Sequence, residues 1–245
     1  MVTSAAWSGG DLLGFDLETT GIDRLSDVPV SYGLVSYLAG TVVDRRTGMV
    51  DPGREIPVGA TAIHGISTAR ARAEGRPLGP VIEHLADTLV AASLRSVPVV
   101  GMNLAYDLTI VDAQCRRLDG RGLLRRGWSG PALDALPLDR HVDRYRKGPR
   151  RLENLCEHYD VALQMAHDAG SDAEAALWVV LSLAARYPEI AGATPEDLHH
   201  QQIGWHREWA ESFDGFCRGN GRDPLEPGEF FWPIAPFDEA VREVA

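Results

Sequence analysis

Apolar positions along the chain alternate between strand-like runs and stripes at helical spacing. Residues 11–17 (DLLGFDL) and 28–38 (VPVSYGLVSYL) read as strands, and Ala39-Gly40 makes a tight turn into TVVDRR at 41–46. These three runs predict an antiparallel meander, closed by MVDPG at 49–53. The following PVGATAIHGIS (57–67) carries no period and is expected to be irregular. Val81, Ile82, Leu85, Leu89 and Val90 then fall on one face of a helix over 78–93. VPVVG (97–101) has the form of a buried strand. Asn103 after it is an expected N-cap, opening a helix with Leu104, Leu108, Val111, Cys115 and Leu118 along its apolar side.

Residues 119–131 read as a Gly- and Arg-rich loop, 131–138 as a fifth strand ending near Asp134, and 152–159 as a helix. Ser171 with Glu174 three residues later is a capping-box signature, predicting a long helix over 172–186 that stops before Pro188. From 194 the texture changes. Thr194-Pro195-Glu196-Asp197 starts another helix, in which Leu198, Trp205, Trp209, Phe213 and Phe216 form a largely aromatic stripe. The expectation is an amphipathic helix packed on the main domain, and the alternative is a surface for a partner or a nucleic acid. Residues 220–245, rich in Pro and acids, are expected to wrap irregularly. This divides the chain into a domain over 1–190 and an extension over 191–245.

Composition narrows the class. At 245 residues, 44% apolar and 24% charged, the chain has ample material for one core plus an extension. No apolar run reaches the roughly 20 residues that cross a bilayer, so no membrane partner is expected. The opening MVTSAAWSGGD lacks the basic and apolar segments of a secretory leader, and Cys115, Cys156 and Cys217 are too few and too scattered for a disulfide framework. A cytoplasmic location is the expectation. The net charge of -11 disfavours a protein that coats nucleic acid through charge alone, but not an enzyme whose bound metals supply local positive charge. Lys147 is the only lysine. The arginine run RYRKGPRR (144–151) reads as a solvated face or, beside a cleft, as a contact for strand phosphates.

The chemistry concentrates in three places. Asp16 and Glu18, two apart on a strand, emerge on one face while Phe15 and Leu17 take the other. Two carboxylates so close repel unless a cation lies between them. Asp107 stands in the first turn of the helix opened by Asn103, and Asp172 opens a late helix five residues after His167. Each acid sits at a strand end or helix start, on the rim where a mixed sheet gathers functional groups. Four carboxylates suit Mg²⁺ or Mn²⁺, and a mobile imidazole suits a general base.

This constellation, D-x-E-T-T-G, then N-x3-D, then H-x4-D, resembles the DEDDh 3′–5′ exonucleases, the group that contains the proofreading epsilon subunit of DNA polymerase III. Ile63-His64-Gly65-Ile66, Leu152-Glu153-Asn154-Leu155 and Ala166-His167 extend the resemblance over residues 11–187. One departure lies at Ser31 or Tyr32, where the family often has a Glu that is not a metal ligand. The resemblance implies an α/β ribonuclease H-like three-layer fold, with a mixed five-stranded sheet flanked by helices and a C-terminal helical extension. It also implies two divalent cations roughly 3.5–4 Å apart held by Asp16, Glu18, Asp107 and Asp172, with His167 as general base. The products would be nucleoside 5′-monophosphates. The substrate would be a single-stranded DNA or RNA 3′ end, and a polymerase or other protein partner is possible. In relatives, Thr19, Thr20 and His64 lie at the terminal nucleotide. The threonines equally suit a strand-to-loop turn, and the histidine equally suits a local backbone cap. Asn103 is a further substrate-binding candidate.

Overall fold

The computed structural model describes residues 7–237. The chain opens with the meander: β1 (Leu12–Thr19), β2 (Pro29–Leu38) and β3 (Thr41–Asp51). The third strand outruns its expected end because Arg46–Met49 keep pairing with β2. The 57–67 stretch is not irregular. It forms α1 (Val58–His64) and is followed by α2 (Thr68–Glu74), whose N-cap Ser67 accepts from the Arg70 N–H. A two-residue strand, β4 (Arg76–Pro77), then pairs parallel with β3. The sheet therefore has six strands where five were expected. Pro77 has no N–H to give a ladder, so β4 sits where such a residue is tolerated, at the sheet edge.

Next come α3 (Leu78–Leu94), β5 (Val99–Gly101), α4 (Leu104–Asp119), the single turn α5 (Leu123–Arg126) inside the expected loop, and β6 (Ala132–Asp134). The fifth expected strand is only three residues long. Asp134 caps the chain into α6 (Ala135–Val142) by accepting from the Leu136 N–H. The order is completed by α7 (Leu152–His158), α8 (Ala169–Arg186), α9 (Pro188–Gly192) and α10 (Pro195–Gly219). The strand order is β4-β3-β2-β1-β5-β6, with β1 antiparallel to β2 and parallel to β5.

Alternation along β1 builds the two cores. Leu13, Phe15 and Leu17 pack against α3 and α4 on one face of the sheet. Leu12 joins Val100, Leu133 and the apolar side of α8 on the other. The result is the three-layer mixed α/β arrangement expected. On the second face α8 lies close to the sheet because two strand residues lack side chains. A Cβ at Gly33 would stand 2.1 Å from the Ala169 carbonyl oxygen, and one at Gly14 would stand 2.9 Å from that of Ala173.

The helix from 195 does pack on the domain, but only through the first part of the stripe read from sequence, Leu198, Trp205 and Trp209, joined by polar residues the stripe did not include. Leu198, His199, Gln202, His206 and Ala210 form its buried face. The Gln202 amide accepts from the Asp134 N–H and donates to the Ala132 carbonyl, so it docks on β6 as a strand would. Phe213 and Phe216 remain exposed. The segment after α10 crosses back irregularly, with Trp232 buried and the Ala235 N–H on Thr109 Oγ1. The expected wrap beyond 237 lies outside the described residues. Among the described residues no helix is long and apolar enough to cross a membrane.

Candidate active site

Close packing of α8 on β1 carries Asp172 to the carboxylates of the first strand. Asp16, opposite Gly33 in the register, and Glu18, opposite Ser31, occupy the sheet face that α8 covers. Glu18, Asp172 and His167 each offer a ligand atom within 4.8 Å of the others. The α8 start differs from the capping box read from sequence. Asp168 is the N-cap, accepting from the Ser171 N–H, and Asp172 is the fourth helical residue. Glu174 reaches instead across to Arg45, with Nη2–Oε1 at 2.6 Å.

Asp107 comes from the first turn of α4, and its Oδ1 accepts from the Leu17 N–H at 3.2 Å. It is thus tied directly to the strand that carries the other two acids. The cap expected from Asn103 is supplied by another residue. Asn103 adopts a left-handed conformation (φ 59°) and its side chain caps nothing. Asp134, at the end of β6, accepts from the Asn103 and Leu104 N–H groups, each at 2.8 Å. The Asn103 side chain is left exposed at the cleft.

His167 sits on the loop before α8 with φ 64°, an uncommon conformation for a side-chain-bearing residue and one that clusters at functional sites. Its N–H donates to Asp172 Oδ2 at 3.1 Å, which fixes the loop on the acid. Its ring is exposed, with Nε2 3.7 Å from Glu153 Oε1.

The electrostatics are those of a site short of positive charge. Burial first, then the charges of Asp107, Asp172, Glu18 and Asp168, push Asp16 well above the usual carboxylate range. Burial, then Asp172 and Asp168, raise Glu18 to about 7. Burial raises Asp172 to about 6 against the opposing pull of the His167 N–H. Asp107 is raised by burial and by Asp134 behind it. Asp172 Oδ1 is buried without any hydrogen-bond partner. A buried carboxylate oxygen left unpaired among other acids is what a hard divalent cation satisfies, and the donor set fits one.

The remaining candidates divide. Thr19 Oγ1 bonds the Gly21 carbonyl and Tyr106 Oη, and Thr20 Oγ1 donates to Asp27, so both hydroxyls serve the turn after β1. His64 Nδ1 accepts from the Ile66 N–H, a local cap, and its ring lies in the field of His167. The arginine run divides: Arg144, Lys147 and Arg151 are exposed, as a solvated face would be, while two of its arginines turn inward. Arg146 and Arg150 both grip the fully buried Asp139, which also accepts from the Tyr159 hydroxyl at 2.8 Å. Arg151 alone of the run is exposed at the cleft beside the acids.

That cleft, of about 720 Å³, has a second wall that sequence reading did not find. Arg24, Arg140, His206, Trp209 and Glu229 share the space with Asp16 and His167. Arg140 and Trp209 lie 69 residues apart, and only the docking of α10 on α6 brings them together. The one sequence signal was the aromatic stripe, read there as packing, with a partner or nucleic-acid surface as the alternative.

The fold and this rim of acids define a class: nucleases that cut phosphodiesters at a carboxylate centre. The Exonuclease family (RNase_T) matches residues 13–180, and the chain belongs to it. Membership gives the enzyme class, a 3′–5′ exonuclease and hence a phosphodiester hydrolase. The chain is similar to the PolC-type DNA polymerase III of Lacticaseibacillus paracasei, 26% identical over 206 residues, covering 78% of this chain and 12% of that protein. The corresponding protein of Bacillus subtilis is 24% identical over 174 residues, covering 69% of this chain and 11% of that one. The chain therefore spans about an eighth of the length of these relatives. Among solved structures, E. coli Exonuclease I in complex with a dT13 oligonucleotide aligns with a TM-score of 0.60 at 21% identity, over 74% of this chain and 42% of that one. Exonuclease I from Methylocaldum szegediense aligns with a TM-score of 0.58 at 22% identity, over 74% and 42%. At these identities the likeness speaks to the fold.

Proposed function

We propose that the chain removes nucleoside 5′-monophosphates one at a time from the 3′ end of single-stranded DNA. Asp16, Glu18, Asp107 and Asp172 hold divalent cations, Mg²⁺ or Mn²⁺, and His167 is the general base. The observation that carries this reading is the convergence of four pKa-raised carboxylates from β1, α4 and α8 around the orphaned Asp172 Oδ1. Bound cations would polarise the scissile phosphate and acidify the attacking water. The chain's own residues do the rest. Asp107 braces β1 through the Leu17 N–H, keeping Asp16 and Glu18 in register with α8. Asp172 holds the His167 main chain, while the exposed ring is free to take a proton from water at the phosphorus. Asn103, exposed at the cleft, borders the place of the terminal nucleotide, while Thr19, Thr20 and His64 would act there through the turns they hold. Residues 1–190 act as the exonuclease domain and 191–245 as an extension of its cleft.

DNA is favoured over RNA because the E. coli Exonuclease I structure named above is a complex with the deoxyoligonucleotide dT13. The same centre on an RNA end is the second reading. Purified protein is incubated with 5′-labelled single-stranded DNA and RNA in Mg²⁺, Mn²⁺ or EDTA, beside D16A and H167A. A ladder shrinking from the 3′ end, metal-dependent and lost in both variants, is expected. Absence of cleavage on either strand, or cleavage indifferent to D16A, overturns the reading.

A further inference from the structure

We infer that Arg140, held against Trp209 of the C-terminal helix, binds a phosphate of the strand on the 5′ side of the scissile bond. This rests on the exonuclease reading above and assigns the extension a task within it. The half-buried arginines give the first observation. Among the described residues there are six: Arg24, Arg116, Arg126, Arg140, Arg146 and Arg150. Five meet a carboxylate at 4.0 Å or less, on Glu229, Asp112, Asp119 and Asp139. Arg140 meets none. Its guanidinium carbon stands 3.3 Å from the centre of the Trp209 ring, so the indole covers one face while the N–H edge has no protein acceptor.

Burial of this cation runs against it, drawing its pKa down to about 10. Asp134 and Asp139 attract it from beyond ion-pair distance, Arg150 repels it, and together they do not offset the burial. A guanidinium fork is shaped to accept a phosphate in both arms. The surroundings point the same way. His206, the neighbour of Trp209 on the buried side of α10, lies with its Nε2 on the Glu229 carbonyl, and burial, then Arg140 and Arg24, lower its pKa against the pull of that carbonyl. Glu229, the one carboxylate on this wall, faces Arg24 at 4.0 Å. The wall therefore carries positive charge opposite a rim of acids in a single cleft. An anionic strand ending at the acids passes Arg140 on its way out.

The wall is fixed rather than chance contact. Trp205 stacks on His141 of α6 at 3.7 Å and 11°, next to the Arg140–Trp209 pair, so two successive residues of α6 are clamped by two successive turns of α10.

Two substrates separate this site from the metal centre. One is a 5′-fluorescein-labelled dT12. The other is the p-nitrophenyl ester of thymidine 5′-monophosphate, which has a scissile bond but no phosphate upstream of it. For wild type, R140Q, R140K and W209L, kcat/KM is measured on both in Mn²⁺ at several salt concentrations. R140Q is expected to lower the strand-to-ester ratio tenfold or more. It should also flatten the salt slope of strand cleavage by about 0.7, the value of one lost phosphate contact on a single strand. R140K should restore the slope and only part of the ratio, since a point charge lacks the fork. W209L should lower the ratio by less than R140Q, and stands in for it if R140Q does not fold. A ratio held in both R140Q and W209L, an equal fall on both substrates, or an unmoved salt slope overturns the inference. Failure of wild type on both substrates would instead overturn the exonuclease reading.

Discussion

Two groups of buried acids in this molecule differ in what surrounds them. Asp139, fully buried between α6 and α7, is met by Arg146, Arg150 and the Tyr159 hydroxyl. Both of its oxygens are bonded by the protein itself. Asp16, Glu18, Asp107 and Asp172 crowd one rim with no arginine among them, their pKa values raised and one oxygen of Asp172 bonded to nothing. The first arrangement stabilises the fold. The second is electrostatic strain that a bound cation would relieve, and perturbed groups of this kind cluster at functional sites.

Removing charge from each group should break the comparison in opposite directions. D16N should reduce kcat/KM on labelled single strands by about 10³-fold, the scale of losing a principal electrostatic contact to the transition state. It should leave the metal-free protein as stable as wild type or more so, because a repelling charge is gone. D139A should instead lower stability by roughly 3–5 kcal/mol in urea unfolding, since it strands two half-buried guanidinium groups. Activity per folded molecule should survive in D139A. If D139A proves harmless to folding, or if D16N unfolds the protein, the two groups are not the opposites they look.

Acidity sharpens the same contrast. Glu18 has an ordinary pKa of 4.5 and a folded value of about 7 in the absence of metal. Between those values the folded state holds a proton that the unfolded chain has released. The stabilisation linked to that proton is complete below about pH 4.5 and is lost as pH rises through about 7. Asp172, raised to about 6, acts in the same direction. The melting temperature of the EDTA-treated protein should therefore fall between pH 5 and pH 8. Mg²⁺ should recover most at the upper end, where no proton competes for the carboxylates. At a hundredfold excess over its Kd the ion adds about 2.7 kcal/mol. A thermal-shift series with and without Mg²⁺ tests this, and equal rescue at pH 5 and pH 8 would contradict it.

How far the chain could be read follows from how local each feature is. That Asp16 and Glu18 share a face was legible because strand alternation puts i and i+2 together, whereas Asp107, His167 and Asp172 stood out only through the resemblance of the whole constellation. The meander and the helix over 78–93 were legible from period alone. The cap of α8 was not, since Asp168 and Ser171 are both good N-caps and Glu174, free to choose, pairs with Arg45 on the sheet. β4 was not, because a strand of Arg76–Pro77 exists through pairing and not propensity. The aromatic stripe was visible, but which face of α10 is buried depended on the Gln202 contacts to β6, and so the Arg140–Trp209 pair was hidden.

Asp134 stands between the two groups and gives the smallest effect. It is buried like Asp139, yet its partners are neutral: the N–H groups of Asn103, Leu104 and Leu136 and the indole N–H of Trp232 at 3.1 Å. Even four donors do not offset burial, and its pKa remains raised. Its charge is in turn felt by Asp107. Exchanging Trp232 for Phe keeps the ring in its buried seat and deletes one donor of four. A hydrogen bond to a charged group contributes about 1.5–3 kcal/mol, but the three backbone donors remain and the carboxylate is not orphaned, so the loss should fall near 1 kcal/mol. That is a drop of roughly 2–4 °C in Tm for a chain of this size. Cleavage of the nucleotide ester should stay at the wild-type level, because α4 keeps both capping bonds from Asp134. A larger loss, accompanied by weakened metal rescue, would mean that the tail reaches the acid rim through Asp134 and Asp107, and the line between structural and functional acids would have to be redrawn there.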